Sequence, residues 1–285
     1  MAGSSKYKIY GIVGNNLTHS LSPMIHNYLF RQNRINAIYT TFETNDKLFD
    51  GLMKAIRTLN ISGLNITYPF KQTALDYLDK IDKSAINCGA VNTINNKSGT
   101  LHGHNTDIYG IDKTLKDRIK INLKNKQILL LGAGGAARAC LNVFLKYKPS
   151  EILVMNRNQH RASQMINSFN SKLTVSKIKF RALDNIAKCD KSYDMIINAT
   201  SADVRRMNGI ICALSKNGYL NNTILFDLNY GKRQMVGIIN RNITHYEDGL
   251  FMLVSQAIKS FKIWTGIEAD ADNVYRYVRQ KIRGK

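Results

Sequence analysis

Residues 128–138 read ILLLGAGGAAR, an apolar run that passes directly into Gly132-Ala133-Gly134-Gly135-Ala136 and on into alanine-rich sequence. That context gives the glycines a task. Between a strand and a helix, the first glycine permits a tight turn and the second lets the backbone approach a pyrophosphate. The amides of the helix's first turn then supply an anion site. Ala137 stands where a third small residue lets the helix pack on the strand. NAD-binding units place an acid about 20 residues further on, where it bonds the ribose 2′-hydroxyl. This chain instead has Asn156-Arg157-Asn158, with Arg161 one turn later. Guanidinium groups grip a phosphate bidentately, as lysine cannot. The residues therefore point to NADP rather than NAD.

Three further polar constellations lie in the first half. In His19-Ser20-Leu21-Ser22-Pro23, Ser22 reads as an N-cap with Pro23 at the first helical position. Ser20 is surplus to that cap, and two hydroxyls at a helix N-terminus make a seat for a carboxylate. In Asn65-Ile66-Thr67-Tyr68-Pro69-Phe70-Lys71, strand alternation sends Asn65 and Thr67 to one face. Pro69 ends that strand, and a helix is expected to begin near Lys71. Gly103-His104-Asn105-Thr106-Asp107, preceded by Gly89-Ala90-Val91-Asn92-Thr93, adds amides, hydroxyls and a carboxylate. Taken singly, each also describes a solvated turn.

The elements that must position these groups alternate. Residues 7–13, 37–43, 63–67 and 101–106 read as strands, and 23–33 and 44–59 carry helical spacing. A βαβα rhythm implies a mainly parallel sheet covered on both faces. The rhythm restarts at Gln127, with strands at 127–131, 151–155, 193–198 and 223–228 and helices between them. The expected fold class is α/β, in two domains. A last helix, about 250–265, carries a stripe of Leu253, Ile258, Phe261 and Ile263 that needs a partner the pattern does not identify.

Composition narrows the classes. The formal net charge is +21, from 41 Lys and Arg against 20 Asp and Glu. These residues are scattered, with a modest concentration at Arg276, Arg279, Lys281, Arg283 and Lys285, and no helix-turn-helix, zinc-finger or aromatic ribonucleoprotein motif accompanies them. A positive field that favours anionic small molecules is expected, rather than nucleic-acid binding. Cys88, Cys140, Cys189 and Cys212 form no metal-ligand spacing, so no metal is expected. No stretch reaches the ~18 uninterrupted apolar residues of a membrane helix, and Met1–Lys8 lacks the apolar core of a signal peptide. The expectation is a cytoplasmic protein with no membrane partner.

Taken in order, SLSP, NITYPFK, GAVNT, GHNTD, GAGGAAR, NRN, NATS and GLFMLVSQA closely resemble the successive motifs of the shikimate dehydrogenase family, over nearly the whole chain. The resemblance implies a substrate domain, residues 1–108 with 250–285, and a Rossmann NADP-binding domain, residues 109–249, the C-terminal helix returning to the first. It implies NADPH-dependent reversible reduction of 3-dehydroshikimate to shikimate in aromatic amino acid biosynthesis. Ser20 and Ser22 would hold the substrate carboxylate, and Thr67, Asn92 and Gln256 the ring hydroxyls. Asn65 and Tyr230 would line the same pocket. Lys71 and Asp107 match the catalytic pair, Lys71 as proton donor. Gly132, Ala133, Gly134, Gly135, Ala136, Asn156, Arg157, Asn158, Arg161, Thr200, Leu228 and Gly249 would bind the cofactor. The chain departs from the family where NATS runs into Ala202-Asp203, where Tyr230 is followed by Gly231-Lys232-Arg233-Gln234, and at Ile108 and Phe251, where glycine is common. Alternative readings are a quinate/shikimate dehydrogenase using NAD, a non-catalytic sensor of the same pathway, and a nucleic-acid binder on the same scaffold. A monomer or homodimer is expected.

Overall fold

A computed structural model of the protein describes residues 7–170, 177–189, 191–201, 204–220, 222–230 and 243–283. The chain divides into two compact units, residues 1–110 with 253–285 and residues 111–252. The departures noted at Ala202-Asp203 and at 231–234 lie outside the described residues.

The first unit opens with β1 (Lys8–Gly14), α1 (Ser22–Gln32), β2 (Ala37–Glu43), α2 (Phe49–Thr58) and β3 (Gly63–Ile66). It continues through β4 (Lys80–Ile81), α3 (Lys83–Cys88), β5 (Thr93–Lys97), β6 (Thr100–His104) and α4 (Asp107–Thr114). Its strands, in the order β2-β1-β3-β5-β6-β4, make a mixed sheet: β5 runs antiparallel to both β3 and β6. The β5–β6 hairpin went unread in the sequence. Its two-residue turn puts Ser98 and Gly99 at φ +52° and +89°, the left-handed pair that suits tightly connected, right-twisted strands. Helix α2 begins at Phe49 rather than at 44, because the Asn45 side chain accepts the amides of Lys47 and Leu48 and turns the chain there. The helix expected near Lys71 is a turn followed by one short 3-10 stretch, Thr73–Tyr77, anchored by buried Phe70 and Ala74. The chain reaches β4 too soon for more.

The second unit contains β7 (Gln127–Leu131), α5 (Gly135–Lys146), β8 (Glu151–Asn156), α6 (Gln159–Asn170), β9 (Lys177–Ala182), β10 (Met195–Asn198), α7 (Val204–Lys216), β11 (Thr223–Asp227) and β12 (Ile243–Glu247). All its strand pairs are parallel, in the order β12-β11-β10-β7-β8-β9. Strand order therefore reverses between β7 and β10. Open parallel sheets bind ligands at such a reversal, outside the carboxyl ends of the strands. Edge strands β9 and β12 had not been recognised, although the Lys-Ile-Lys-Phe-Arg alternation of β9 carries a period of two.

Helices α8 (Leu250–Thr265) and α9 (Ala271–Arg283) complete the chain. From Leu253 onward both belong to the first unit. The core stripe of α8 is Val254, Ala257, Phe261 and Trp264; of the expected stripe, Leu253 and Ile263 stay half-buried, one position off that face. Trp264 decides the docking: its indole N–H donates to the Ile94 carbonyl at 2.9 Å, and its ring lies 4.9 Å from that of Tyr10. Phe261 packs 5.7 Å from Phe30, and Tyr277 of α9 stacks on Tyr28 of α1 at 3.8 Å.

His26 of α1 is fully buried beneath this helix, its ring stacked 4.4 Å from Tyr39. Burial pushes its pKa down to about 3, with the Asn65 side chain acting the other way. The folded value lies below the unfolded one, so the stability due to neutral His26 is complete above about 6.5 and is lost as pH falls towards 3. The expected loss is about 1.4 kcal/mol per pH unit in that window. Urea unfolding at pH 7 and pH 4.5 should show a smaller acid loss in His26→Phe than in wild type; equal losses would exclude His26 as the cause.

Candidate active site

Ligand-competent residues gather at the carboxyl ends of the parallel strands in each unit. In the first, β1 and the segment after β3 are tied by backbone bonds from Thr67 N–H to Val13 O (2.9 Å) and Asn15 N–H to Tyr68 O (3.1 Å). This sets Thr67 beside the loop that carries Ser20 and Ser22. Ser22 is not the N-cap but the first residue of α1; Leu21 holds the cap position, and its own side chain makes no capping bond. The Ser20 hydroxyl, read as surplus, accepts the Ser22 amide at 3.3 Å. Ser22 is buried and Ser20 half-buried.

Lys71 and Asp107 meet. Lys71 Nζ lies 2.5 Å from Asp107 Oδ2, and their side chains are 18% and 6% exposed. The backbone makes this encounter compulsory. Val91 N–H donates to Lys71 O at 2.7 Å, Asn92 N–H to His104 O at 3.1 Å, and Asn105 Nδ2 to Ala90 O at 2.8 Å. Asn105 Oδ1 in turn accepts the Asp107 amide at 3.1 Å, where α4 begins. The second and third constellations thus form one laced structure around β5 and β6. Asn92 Nδ2 donates to the free oxygen of Asp107, Oδ1, at 2.8 Å. Gln256 of α8 lies next to it, its Oε1 3.4 Å from Asn92 Nδ2 and 3.3 Å from Thr106 Oγ1, its Nε2 held by the Leu253 carbonyl at 2.8 Å.

Asn65 is tied into the same network. It is 5% exposed, and its amide is engaged by Tyr39, Thr93, Ser260 and the Asn92 carbonyl. Tyr230, grouped with these residues by resemblance, is a half-buried residue of the second unit, three positions after β11. Thr93, Asn105, Thr106 and Ser260 had been given no role. The available signal was polar residues, one at the start of β5, two after β6 and one on α8, in segments otherwise rich in apolar residues.

In the second unit, Gly132 has φ +114°, and a side chain there would begin 2.8 Å from the Ala199 carbonyl, so only glycine fits the turn. Gly134 occupies the N-cap of α5 and brings no capping side chain of its own. Its approach is open, with Arg161 Nη2 3.7 Å from where a β-carbon would sit. Asn158 receives the Arg161 amide at 2.9 Å and the Asn156 side chain at 2.8 Å, which sets the end of β8 and the start of α6. Arg157 is exposed. At the ends of β10 and β11, Asn198 donates to Asp227 at 2.9 Å, and Asn229 bridges Asp227 (2.8 Å) and the Thr200 carbonyl (3.0 Å). Burial raises the pKa of the Asp227 carboxyl. Gly249 closes against Leu228 so tightly that a β-carbon would fall 2.1 Å from its carbonyl oxygen. Phe251 is buried with the Arg118 guanidinium 5.5 Å over its ring, and Ile108 is half-buried on α4.

The glycine turn opening a helix N-terminus, with Arg161 over it, fits the diphosphate and phosphate groups of a dinucleotide. Among the described residues there is no cluster of His, Cys, Asp or Glu fit to hold a metal, and no helix long and apolar enough to cross a membrane. Fold and site together define a two-unit α/β protein of the dinucleotide-binding class.

Comparison with known proteins specifies the class. Residues 12–94 match the shikimate dehydrogenase substrate binding domain, 114–230 the shikimate / quinate 5-dehydrogenase model, and 249–279 the shikimate 5'-dehydrogenase C-terminal domain. A shikimate dehydrogenase (NADP(+)) from Nitrosopumilus maritimus is 35% identical over 92% of this chain and 94% of its own. One from Caldanaerobacter subterraneus is 31% identical over 99% and 98%. A crystal structure of a shikimate dehydrogenase in complex with NADP+ has 30% identity and a TM-score of 0.80, covering 97% of this chain and 96% of the other. The chain belongs to the shikimate dehydrogenase family.

Proposed function

We propose that this protein catalyses the NADP-dependent, reversible reduction of 3-dehydroshikimate to shikimate, a step towards aromatic amino acids, in the cytoplasm. The observation that carries the reading is the Lys71–Asp107 pair, with Asn92 on the second carboxylate oxygen. In this reading residues 1–108 with 250–285 receive the substrate and 109–249 the cofactor. Gly132 to Ala136, Asn156 to Asn158 and Arg161 hold the cofactor, with Thr200, Leu228 and Gly249 at its other end. Ser20 and Ser22 take the substrate carboxylate at the start of α1, and Thr67, Asn92 and Gln256 take ring hydroxyls, with Tyr230 against the same ligand.

Reduced nicotinamide supplies a hydride to the carbonyl carbon when bound. The oxygen then needs a proton. Lys71 donates it from its ammonium, and Asp107 keeps that ammonium aimed. Asp107 accepts on both oxygens, from Lys71 and from Asn92, so it works as a carboxylate and lends no proton of its own. The half-buried Lys71 regains its proton from solvent. A basic protein of net charge +21 also attracts both anionic ligands.

The test follows nicotinamide absorbance while shikimate or quinate is offered with NADP or NAD to purified protein. Turnover with shikimate and NADP is expected to exceed every other pair. Turnover led by quinate and NAD would move the protein to the alternative specificity, and silence with all four pairs would favour a sensor.

A further inference from the structure

Behind Asp107 lies a chain of buried hydroxyls and amides that points one way. Its direction follows from groups that can only donate or only accept. The Thr106 backbone N–H lies 2.7 Å from Asn92 Oδ1, which settles which end of that amide is oxygen and turns its NH2 to Asp107 Oδ1 at 2.8 Å. The Asn92 backbone carbonyl, 3.0 Å from Asn65 Nδ2, settles Asn65 in the same manner. Tyr39 must then donate its hydroxyl proton to Asn65 Oδ1, at 2.7 Å. Asn65 Nδ2 also faces Thr93 Oγ1 and Ser260 Oγ, each at 3.1 Å.

Thr93 is the junction. Its hydroxyl accepts from Asn65 Nδ2 at 3.1 Å and donates to Asn92 Oδ1, which cannot donate, at 3.0 Å. Ser260 Oγ and Thr106 Oγ1 lie beside it at 2.8 and 3.2 Å, and Ser260 gives its own proton to the Gln256 carbonyl at 3.0 Å. The polarity runs from Tyr39 through Asn65 to Thr93 and passes through Asn92 to Asp107. Every member is buried, Thr93 completely. In such surroundings a misdirected amide leaves an unpaired polar group, so the orientations are locked together.

We infer that Tyr39 and Thr93 are positioning residues for proton transfer: their hydroxyls, linked through Asn65, hold the Asn92 amide with its NH2 on Asp107, and so hold the carboxylate that aims Lys71. Both act through Asn92. The inference rests on the proposed catalytic role of Lys71 and Asp107 and adds the residues that set its geometry.

The experiment compares Tyr39→Phe, Thr93→Val, the double variant and Thr93→Ser, each checked for an unchanged unfolding midpoint within a few degrees. Losing one link is expected to lower kcat about tenfold, the equivalent of one hydrogen bond to a charged group, while KM for shikimate changes less than threefold. Thr93→Ser should recover most of the activity, since it keeps the hydroxyl and loses a methyl. The double variant should be no slower than Thr93→Val, because both break one chain. An active wild type whose Tyr39→Phe and Thr93→Val variants keep full kcat, or whose losses multiply in the double variant, would overturn this inference and leave the proposed function standing. A wild type silent with shikimate and NADP would overturn both.

Discussion

Lys71→Met is expected to lower kcat by ~10²–10⁴ while the dissociation constant for shikimate changes little, the signature of a lost general acid. Methionine keeps the length and apolar stem of lysine, so packing changes little; what disappears is the ammonium 2.5 Å from Asp107 Oδ2. Asp107 is then left with a side chain 6% exposed and the neutral Asn92 amide on its other oxygen. That costs stability, about 1–3 kcal/mol for a pair that water still reaches on the lysine side. The combined variant Lys71→Met with Asp107→Asn therefore separates the two effects. It should regain most of the lost unfolding free energy, because no uncompensated charge remains, and regain none of the turnover. Single-turnover kinetics with saturating NADPH and 3-dehydroshikimate would read the chemical step directly. A kcat within threefold of wild type in Lys71→Met would remove Lys71 from the mechanism.

Replacing Arg157 and Arg161 together by alanine is expected to lower kcat/KM for NADP about 10²-fold and to change kcat/KM for NAD less than threefold. The two ligands differ by one phosphate, and each charge-assisted hydrogen bond to it contributes about 1.5–3 kcal/mol. The structure distinguishes the two arginines. Arg157 is exposed beyond the end of β8, whereas Arg161 is half-buried and reaches back over the glycine turn, 3.7 Å from the β-carbon position of Gly134. Arg161→Ala alone should therefore weaken NADP and also measurably weaken NAD, which shares the diphosphate. Arg157→Ala alone should discriminate between them. If the NADP/NAD ratio stays constant in the double variant, neither arginine reads the 2′-phosphate.

The shikimate dehydrogenase family membership that comparison establishes was legible because the motifs are short and local. Gly132 must be glycine for a backbone reason that holds within a few residues, and an apolar strand before it with alanines after it reveals the turn. The periods of 3.6 and 2 likewise betrayed α1, β2, β3, β7, β8, β10 and β11. Errors fell where a side chain overrides local preference. Asn45 delays α2 by taking two amides for itself, and Leu21 rather than Ser22 stands at the cap of α1.

By itself, the sequence determined the repertoire: an α/β chain with a dinucleotide turn, two arginines where an acid would select NAD, and Lys71 and Asp107 in separate motifs 36 residues apart. Local chemistry suffices for these, since turn conformations, caps and charge are properties of neighbours in the chain. Only the tertiary structure decided that Lys71 and Asp107 meet, because Val91 and Asn105, which tie their segments together, bond across turns whose register no local pattern specifies. It decided, too, that Asn65 bonds Ser260, 195 residues away on α8. A buried hydrogen bond depends on distance in space and on the absence of water, and neither is written in residue order.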